Sequence, residues 1–539
     1  RVIADDDPIL RFYRWFWTIG DGWNNLHTAM HKGLKSTGRN DLWTWYDPAI
    51  RVPSVGGSGG KVDVLGQWTY TEPSPLRVGY FADELFAMAE ASATAQKVMK
   101  MTQLFWYRSS SAPKATGSKH IPSPFDDHDP DAAYISIAPM HLRESFWTKV
   151  SRPVSGLMYH GWSSLVQTDG THAYKYTQPD TQTEFSRLHR EILEPLGPTL
   201  MQVPDRKTDV AYLNSFTSQV FARRGSYGYS HDEAYLTLLH AQLQPKVIFE
   251  ETLLKQGLDG YKVLVMVDCD VLTKSVASSI QEFQKKGGLV VGDPNLCPAI
   301  KADILIPRFT RSKKAAADKA TILENAARLR TALDARYARY LESTNSEVIT
   351  RVRSAGEADY VFAINDHREA GNYVGQHGLV LEHGLPSETN LHVNRAGAKV
   401  YDLLASREVA ASQPNGKTIW PVHLGPCEGR VYLLTTKAIN GVQIDAPKTF
   451  KPLLPTECTI SILDSEKKPI LAVVPLKVEI TDPTGRLAEN SGHYGAQDGI
   501  LKIRLLAAIN DIPGVWQIRV RELASGKTAT HYLRLESEK

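Results

Sequence analysis

The sequence predicts a multidomain chain of α/β plus all-β parts: the C-terminal half of a (β/α)8 barrel, a doubly wound α/β domain and two β-sandwich domains. Three observations predict it. Between Asp41 and Trp162, four short apolar runs are separated by helix-like stretches rather than two-residue turns, the pattern of parallel strands joined by crossovers. Between residues 206 and 310, Val- and Leu-rich runs alternate with helical patterns. Beyond about residue 345, apolar and polar residues alternate at close spacing, as in antiparallel sandwiches.

In order, residues 8 to 35 carry apolar positions at steps of three and four (Leu10, Tyr13, Trp17) broken at Gly20-Asp21-Gly22, which predicts two helices and a turn. The four strand runs follow: Leu42 to Pro48, Asp63 to Pro73, Val98 to Arg108 and Val154 to Trp162. Helices are expected at 77–93, 140–149 and 183–196, the last closed by Pro195 and Pro198. A complete barrel takes about 250 residues, so 1–205 with four strands reads as half of one. An isolated half exposes an apolar edge. The expectation is therefore a tightly held partner, the N-terminal segment of the same gene product. The opening Arg1-Val2-Ile3, with no initiator Met and no signal-peptide pattern, predicts a processed or truncated chain.

Residues 206–310 form the doubly wound domain, with strand runs at 208–215, 246–250, 261–268 and 288–293 and helices near 232–243 and 273–286. Cys269 just past a strand suggests an amidotransferase nucleophile. Asp268 and Asp270 on either side argue against it, because an elbow wants small neighbours and two carboxylates disfavour a thiolate. Residues 311–344 predict one long amphipathic helix through Ile322, Ala326, Leu329, Leu333, Tyr337 and Tyr340. Arg328, Arg330, Arg336 and Arg339 would form its solvated face, with an oligomer contact as the secondary reading. A β-sandwich follows over 345–454 and an immunoglobulin-like sandwich over 455–539, whose turns are Asp482-Pro483-Thr484-Gly485, Asp511-Ile512-Pro513-Gly514 and Ala524-Ser525-Gly526-Lys527. That last module leans localisation toward secretion, the periplasm or the cell envelope.

Composition removes several function classes. A net charge of +3 over 539 residues argues against a nucleic-acid partner. No apolar run reaches membrane-spanning length. The cysteines, Cys269, Cys297, Cys427 and Cys458, are too scattered for a zinc site or a disulfide framework, although Cys269 and Cys297 would approach if their strands are neighbours. The acidic loop Asp126 to Asp131 has calcium-like spacing, but Ala132 and Ala138 stand where a calcium loop needs glycine and glutamate. No metal and no cofactor are expected.

The chemistry is expected at the carboxyl ends of the parallel strands. Nine of the eleven tryptophans fall before residue 163, and Trp45, Trp68, Trp106 and Trp162 end their runs beside Asp47, Glu72, Arg108 and His160. Indole faces stack on sugar rings while polar neighbours bind the hydroxyls; the competing reading is a Trp-rich core. Glycoside hydrolysis takes two carboxyl groups, for which Glu72 is the first candidate, as nucleophile or base, and Asp47 the second. Pairing with Arg51 or Arg77 is the structural alternative for both. Trp45, Trp68, Tyr70, Trp106, Tyr107, Arg108, His160 and Trp162 are the candidate substrate-binding residues.

The order of parts, with Phe12-Tyr13-Arg14-Trp15-Phe16-Trp17, Arg143-Glu144-Ser145-Phe146-Trp147 and Gly156 to Trp162, resembles the β-galactosidase-like enzymes of glycoside hydrolase family 42 over the first 310 residues or so. The resemblance implies a barrel followed by a flavodoxin-like or glutamine-amidotransferase-like domain, hydrolysis of β-linked sugars, an acid/base on the fourth barrel strand and a nucleophile on the seventh. The fourth strand would precede Arg1. The run aligned with the seventh, Met101 to Tyr107, offers Thr102 or Gln103 instead of glutamate. An amide cannot act as a carboxylate nucleophile, so a non-catalytic carbohydrate-binding or structural envelope protein is the alternative expectation.

Overall fold

The computed structural model describes residues 1–48, 59–67, 69, 71, 74–92, 94–107, 134–161, 178–221, 229–312, 314–370, 374–375, 378–379, 381 and 383–536. Strand β1 (Val2–Ile3) pairs with β11 (Leu272–Thr273), so the start of the chain is docked on the middle of it. Helix α1 (Pro8–Trp15) begins where the Asp7 carboxylate accepts from the N–H groups of Ile9 and Leu10 and Pro8 fills the first turn. One π-turn later, Gly22 at φ 75° leads into α2 (Trp23–Lys35). Along these helices Phe12, Trp15, Ile19, Trp23, Leu26 and Met30 are about half exposed or more, at helical spacing.

Four parallel strands follow, in the spatial order β2 (Trp45–Tyr46), β3 (Val64–Leu65), β4 (Lys97–Gln103) and β7 (Gly156–His160). Alternate residues divide the sheet between two faces. Val98, Lys100 and Thr102 on β4 share a face with Leu157 and Tyr159 on β7, and this face packs on α3 (Arg77–Ala91), α4 (Pro139–Val150) and α5 (Pro179–Leu188). Met99, Met101 and Gln103 share the opposite face with Met158 and His160. The run from Val98 to Arg108 is not one strand. Leu104 donates its N–H to His160 O at 2.8 Å, and the chain then leaves the sheet as β5 (Phe105–Tyr107), which forms an antiparallel ladder with β6 (Tyr134–Ser136). Pro195 and Pro198 do not close a helix: after a π-turn at His189–Leu193 the chain continues as α6 (Glu194–Leu200), with Pro195 in the first turn, where its missing N–H costs nothing.

The doubly wound sheet runs β13 (Ile304–Leu305), β12 (Leu289–Gly292), β10 (Val263–Met266), β8 (Val210–Asn214) and β9 (Lys246–Phe249), all parallel. In chain order this is the 2-1-3-4-5 arrangement, whose switch point lies between β8 and β10. Helices α7 (Tyr229–His240) and α8 (Lys274–Lys285) belong to its crossovers. The next helix, α9 (Ala315–Leu333), is shorter than the apolar spacing suggests. Tyr337 and Tyr340 lie beyond its end, and Arg339 is buried against the chain rather than solvated.

Two sandwiches complete the chain. In the first, β14 (Leu341–Ser343), Ser387–Val393 and Thr418–Leu424 face a five-stranded sheet containing β15 (Val348–Ala355) and β16 (Ala358–Asn365) across a core of Val352, Leu391 and Trp420. In the second, Ile439–Asp445 pairs with Thr456–Asp464, so its sheets begin ahead of residue 455. The first sandwich is fixed to the front of the molecule at α4: a Cβ on Gly429 would lie 2.3 Å from Trp147 Cδ2, so glycine there lets the indole lie on the strand. Arg353 on β15, 1% exposed, reaches back to carbonyls of the front part. Buried Glu144 on α4 faces Arg368, whose guanidinium also binds Asp366. Burial pushes Glu144 well above the usual carboxylate range, with Asp366 adding to it; burial alone would raise Asp366 too, but Arg368 and Lys319 outweigh it and hold it well below.

Candidate functional site

β2, β3, β4 and β7 are parallel, but their carboxyl ends lie at different levels: Trp45 is level with Val64 and Lys97, the first residue of β4, whereas Gln103 at the far end of β4 is level with His160. At the β2 end, Trp45 is 38% exposed, and a Cβ on Gly66 of the neighbouring strand would lie 2.4 Å from its Nε1. The missing side chain is therefore what lets the indole lie across β3. Asp47 follows directly, half-buried, with both carboxylate oxygens shielded from solvent. Beyond β3 the chain stays alongside β4: Met101 and Gln103 donate their N–H groups to Gln67 O and Thr69 O at 3.1 and 3.2 Å. Buried Lys100 holds this extension, donating to Gln67 O at 2.8 Å and Thr69 Oγ1 at 2.7 Å. A lysine inside the apolar run Val98 to Gln103 was the signal for this anchoring role.

Gln103 ends β4 at 1% exposure, and its side-chain oxygen has no hydrogen-bond partner among the described residues. Its partner across the ladder is His160, exposed at the end of β7 with its ring centroid 5.7 Å from that of Phe105. Gly161 then turns the chain at φ 82°; a Cβ there would strike Phe105 at 2.1 Å, so position and conformation both call for glycine. Gln103 and His160 are thus brought together at the ends of β4 and β7, while Trp45 and Asp47 end β2 at the level where β4 begins. Trp106 joins neither pair. It is fully buried on β5, edge-on to His141 at 5.0 Å, because the chain has already left the sheet at Leu104, and it cannot serve as a stacking platform. His141 is held neutral, pushed down to about 3 by burial and by Arg368. Tyr107 lies on β5 opposite Tyr134; its side chain, and Trp68, Tyr70, Glu72, Arg108 and Trp162, lie outside the described residues, as does the acidic loop 125–131.

Among the described residues Asp47 is the one carboxylate at these strand ends, and no group of three or more His, Cys, Asp or Glu could hold a metal ion. Asp63 lies at the opposite end of β3, where it accepts from Thr44 N and Lys35. The strand ends offer, at two levels, an indole face with a carboxylate and an amide with an imidazole, groups that bind ring faces and hydroxyls.

Cys269 in the doubly wound domain lacks the surroundings of an amidotransferase nucleophile. Cys269 is fully buried, and burial together with Glu250, Asp293, Asp268 and Asp270 pushes its thiol well above the ordinary range, opposite to what a nucleophile needs. Cys297 donates its N–H to Cys269 O at 2.8 Å, so the two do approach, and both thiols are free.

No family model matches this sequence, and no curated protein matches it. The solved structures it is similar to include several glycoside hydrolases. An α-L-fucosidase isoenzyme 2 from Paenibacillus thiaminolyticus is 12% identical with a TM-score of 0.49, over 76% of this chain and 70% of that one. A GH42 β-galactosidase from G. stearothermophilus is 14% identical with a TM-score of 0.42, over 69% of this chain and 59% of that one. A β-galactosidase from Bacillus circulans sp. alkalophilus is 11% identical with a TM-score of 0.43, over 69% and 60%. The chain spans less than two thirds of the length of these two β-galactosidases.

Proposed function

We propose that this chain is the sugar-binding and catalytic portion of a glycoside hydrolase acting on β-linked sugars, its site at the carboxyl ends of the parallel strands, with Trp45 and Asp47 at the end of β2 and Gln103 and His160 at the ends of β4 and β7. The observation that supports this reading best is the pairing of a half-exposed indole with a shielded carboxylate two residues on, at the carboxyl edge of a parallel sheet. Asp47 and Glu72 are the carboxyl pair in this reading. Replacing either with alanine is expected to lower turnover of an aryl β-glycoside by about a thousandfold or more, the scale of losing a group that acts only in the transition state. Unchanged turnover in both variants would remove them from the mechanism.

Gln103 supports a second reading, a non-catalytic carbohydrate-binding protein, because an amide at a buried strand end binds hydroxyls but cannot attack a glycosidic carbon. Glycan binding without product release would favour it.

Either reading includes a further β/α segment against this one, completing the barrel. Two features support it: among the described residues the sheet ends at β2 and β7, and the apolar stripe from Phe12 to Met30 is bare. Intact-mass and N-terminal sequencing of native material are expected to reveal the β/α segment, either covalently continuous with Arg1 or as a bound second polypeptide. Native material that is monomeric and starts at Arg1 would exclude it.

A further inference from the structure

We propose that the cavity where β8 begins, between the segment after α9 and strand β15, is a binding site for a small oxyanion-bearing ligand. The cavity, of about 340 Å³, is the size of a monosaccharide-scale pocket and lies at the amino end of the doubly wound sheet, outside the strand ends described above. Three cations line it: Arg206, Lys207 and Arg339.

Arg339 is the anchor. Its side chain is 4% exposed, its Nε donates to Ala241 O at 2.9 Å, its Nη1 binds Asp334, and its Nη2 is buried with no hydrogen-bond partner among the described residues. With Nη2 shielded from solvent, Arg339 contributes its charge from behind the cavity wall, and the donors a ligand would reach are those of Arg206 and Lys207. Arg206 is oriented rather than mobile, its guanidinium carbon 3.6 Å from the centroid of the Tyr340 ring. Lys207 stands at the mouth beside Gly260, where a Cβ would lie 3.6 Å from its Nζ. Among the described residues neither Arg206 nor Lys207 has an ion-pair partner.

The carboxylates nearby are already engaged. Asp209 accepts from Tyr337 Oη at 2.7 Å and pairs with Lys262 at 3.0 Å, and the Tyr340 hydroxyl donates to Asp359 at 2.6 Å. The pocket therefore presents an excess of positive charge, with the planar Arg206 guanidinium suited to two-pronged contacts with phosphate, sulfate or carboxylate oxygens and the Lys207 ammonium a point charge beside it. Gln242, at φ 59° in the left-handed region, forms part of the wall; its side-chain oxygen accepts from Ser343 N and Thr350 Oγ1 at 3.0 Å, which keeps that wall fixed before a ligand arrives.

The test is calorimetric titration of the full chain with inorganic phosphate, sulfate and acetate, each against chloride at constant ionic strength, for the natural protein and for the double variant R206A/K207A. Both substituted residues are at the surface of the cavity, so circular dichroism is expected to show the variant folded. Saturable binding of at least one oxyanion, weakened about tenfold or more in the variant through loss of charge-assisted bonds, is the expected result. The probe that binds tells a tetrahedral oxyanion from a carboxylate. No saturable binding by any of the three, or equal affinity in the folded variant, overturns the proposal.

Discussion

Replacing Arg353 with methionine is expected to cost about 3–5 kcal/mol of stability, the scale of breaking a buried hydrogen-bond network and leaving its acceptors unmatched. The side chain sits on β15, and all its partners are backbone carbonyls of the front part of the molecule. Nε donates to Val203 O at 2.9 Å, Nη1 to Val150 O and Arg152 O at 3.0 Å each, and Nη2 to Leu200 O. These carbonyls lie at the ends of α4 and α6 and in the turns that follow, where helical geometry leaves the last C=O groups without intrahelical donors. One guanidinium donates to all four. Methionine fills similar space and supplies no donor; Arg152 O and Leu200 O keep the N–H groups of Val154 and Val203 at 2.8 and 3.2 Å, so Val150 O and Val203 O are the ones orphaned, each at a desolvation cost of about 1–3 kcal/mol. Burial lowers the Arg353 guanidinium to about 10, which leaves it charged at neutral pH. Lysine is expected to recover only part of the loss, because an ammonium has three donors and no planar fork. Urea unfolding followed at a probe in the front α/β part measures the difference; a methionine variant within about 1 kcal/mol of the natural chain would mean that water or a rearrangement serves those carbonyls instead.

The parallel strands and helices were legible because each carries its own periodicity. The helix expected at 77–93 is seen at Arg77–Ala91, and the one at 140–149 at Pro139–Val150. Departures came where a tertiary contact decides. Val98 to Tyr107 reads as one strand, since nothing in an apolar run marks the point at which Leu104 bonds to His160 and the chain swings into a second ladder. Trp106, the last apolar residue before a charge, looked like a rim residue for that reason. Tyr337 and Tyr340 continue the helical spacing of α9 by coincidence, each held by a carboxylate from another element, Asp209 and Asp359. Arg339 followed them into the wrong environment: its burial depends on Ala241 O, almost a hundred residues earlier. Of the candidate site, Asp47 and Trp45 were legible as the residues ending a run; the importance of Gly66 and Lys100 to their placement was not, because it is a property of neighbouring strands.

Lys149 carries the opposite expectation to Arg353: replacing it with methionine is expected to stabilise the protein. It is fully buried on α4, its Nζ has no hydrogen-bond partner among the described residues, and its closest polar compensation is the face of Tyr159, 4.4 Å from Nζ to the ring centroid. Burial pushes the ammonium down to about 7 from its ordinary 10.5. Between those two values the unfolded chain binds a proton that the folded chain does not, so stability rises with pH across that window. Below about pH 7 both states are protonated and the folded state bears the full cost of a buried ammonium, on the order of 5 kcal/mol by the size of the shift, of which the cation–π contact returns about 1–2 kcal/mol. Methionine has nearly the same length and no charge to desolvate. The K149M variant is therefore expected to gain about 3–4 kcal/mol at pH 6, with the gain shrinking steadily between pH 7 and pH 10, where the folded natural chain has lost the proton that its unfolded state still binds. His189, 5.4 Å from Tyr159, is held below the ordinary histidine range by burial, with Lys149 adding to it, so the interval from about pH 8 upward reports the lysine without the histidine. Urea midpoints of both proteins across that interval decide the matter. Parallel pH profiles, or a variant less stable at pH 6, would mean that Nζ has an acceptor and that the lysine is paired rather than stranded.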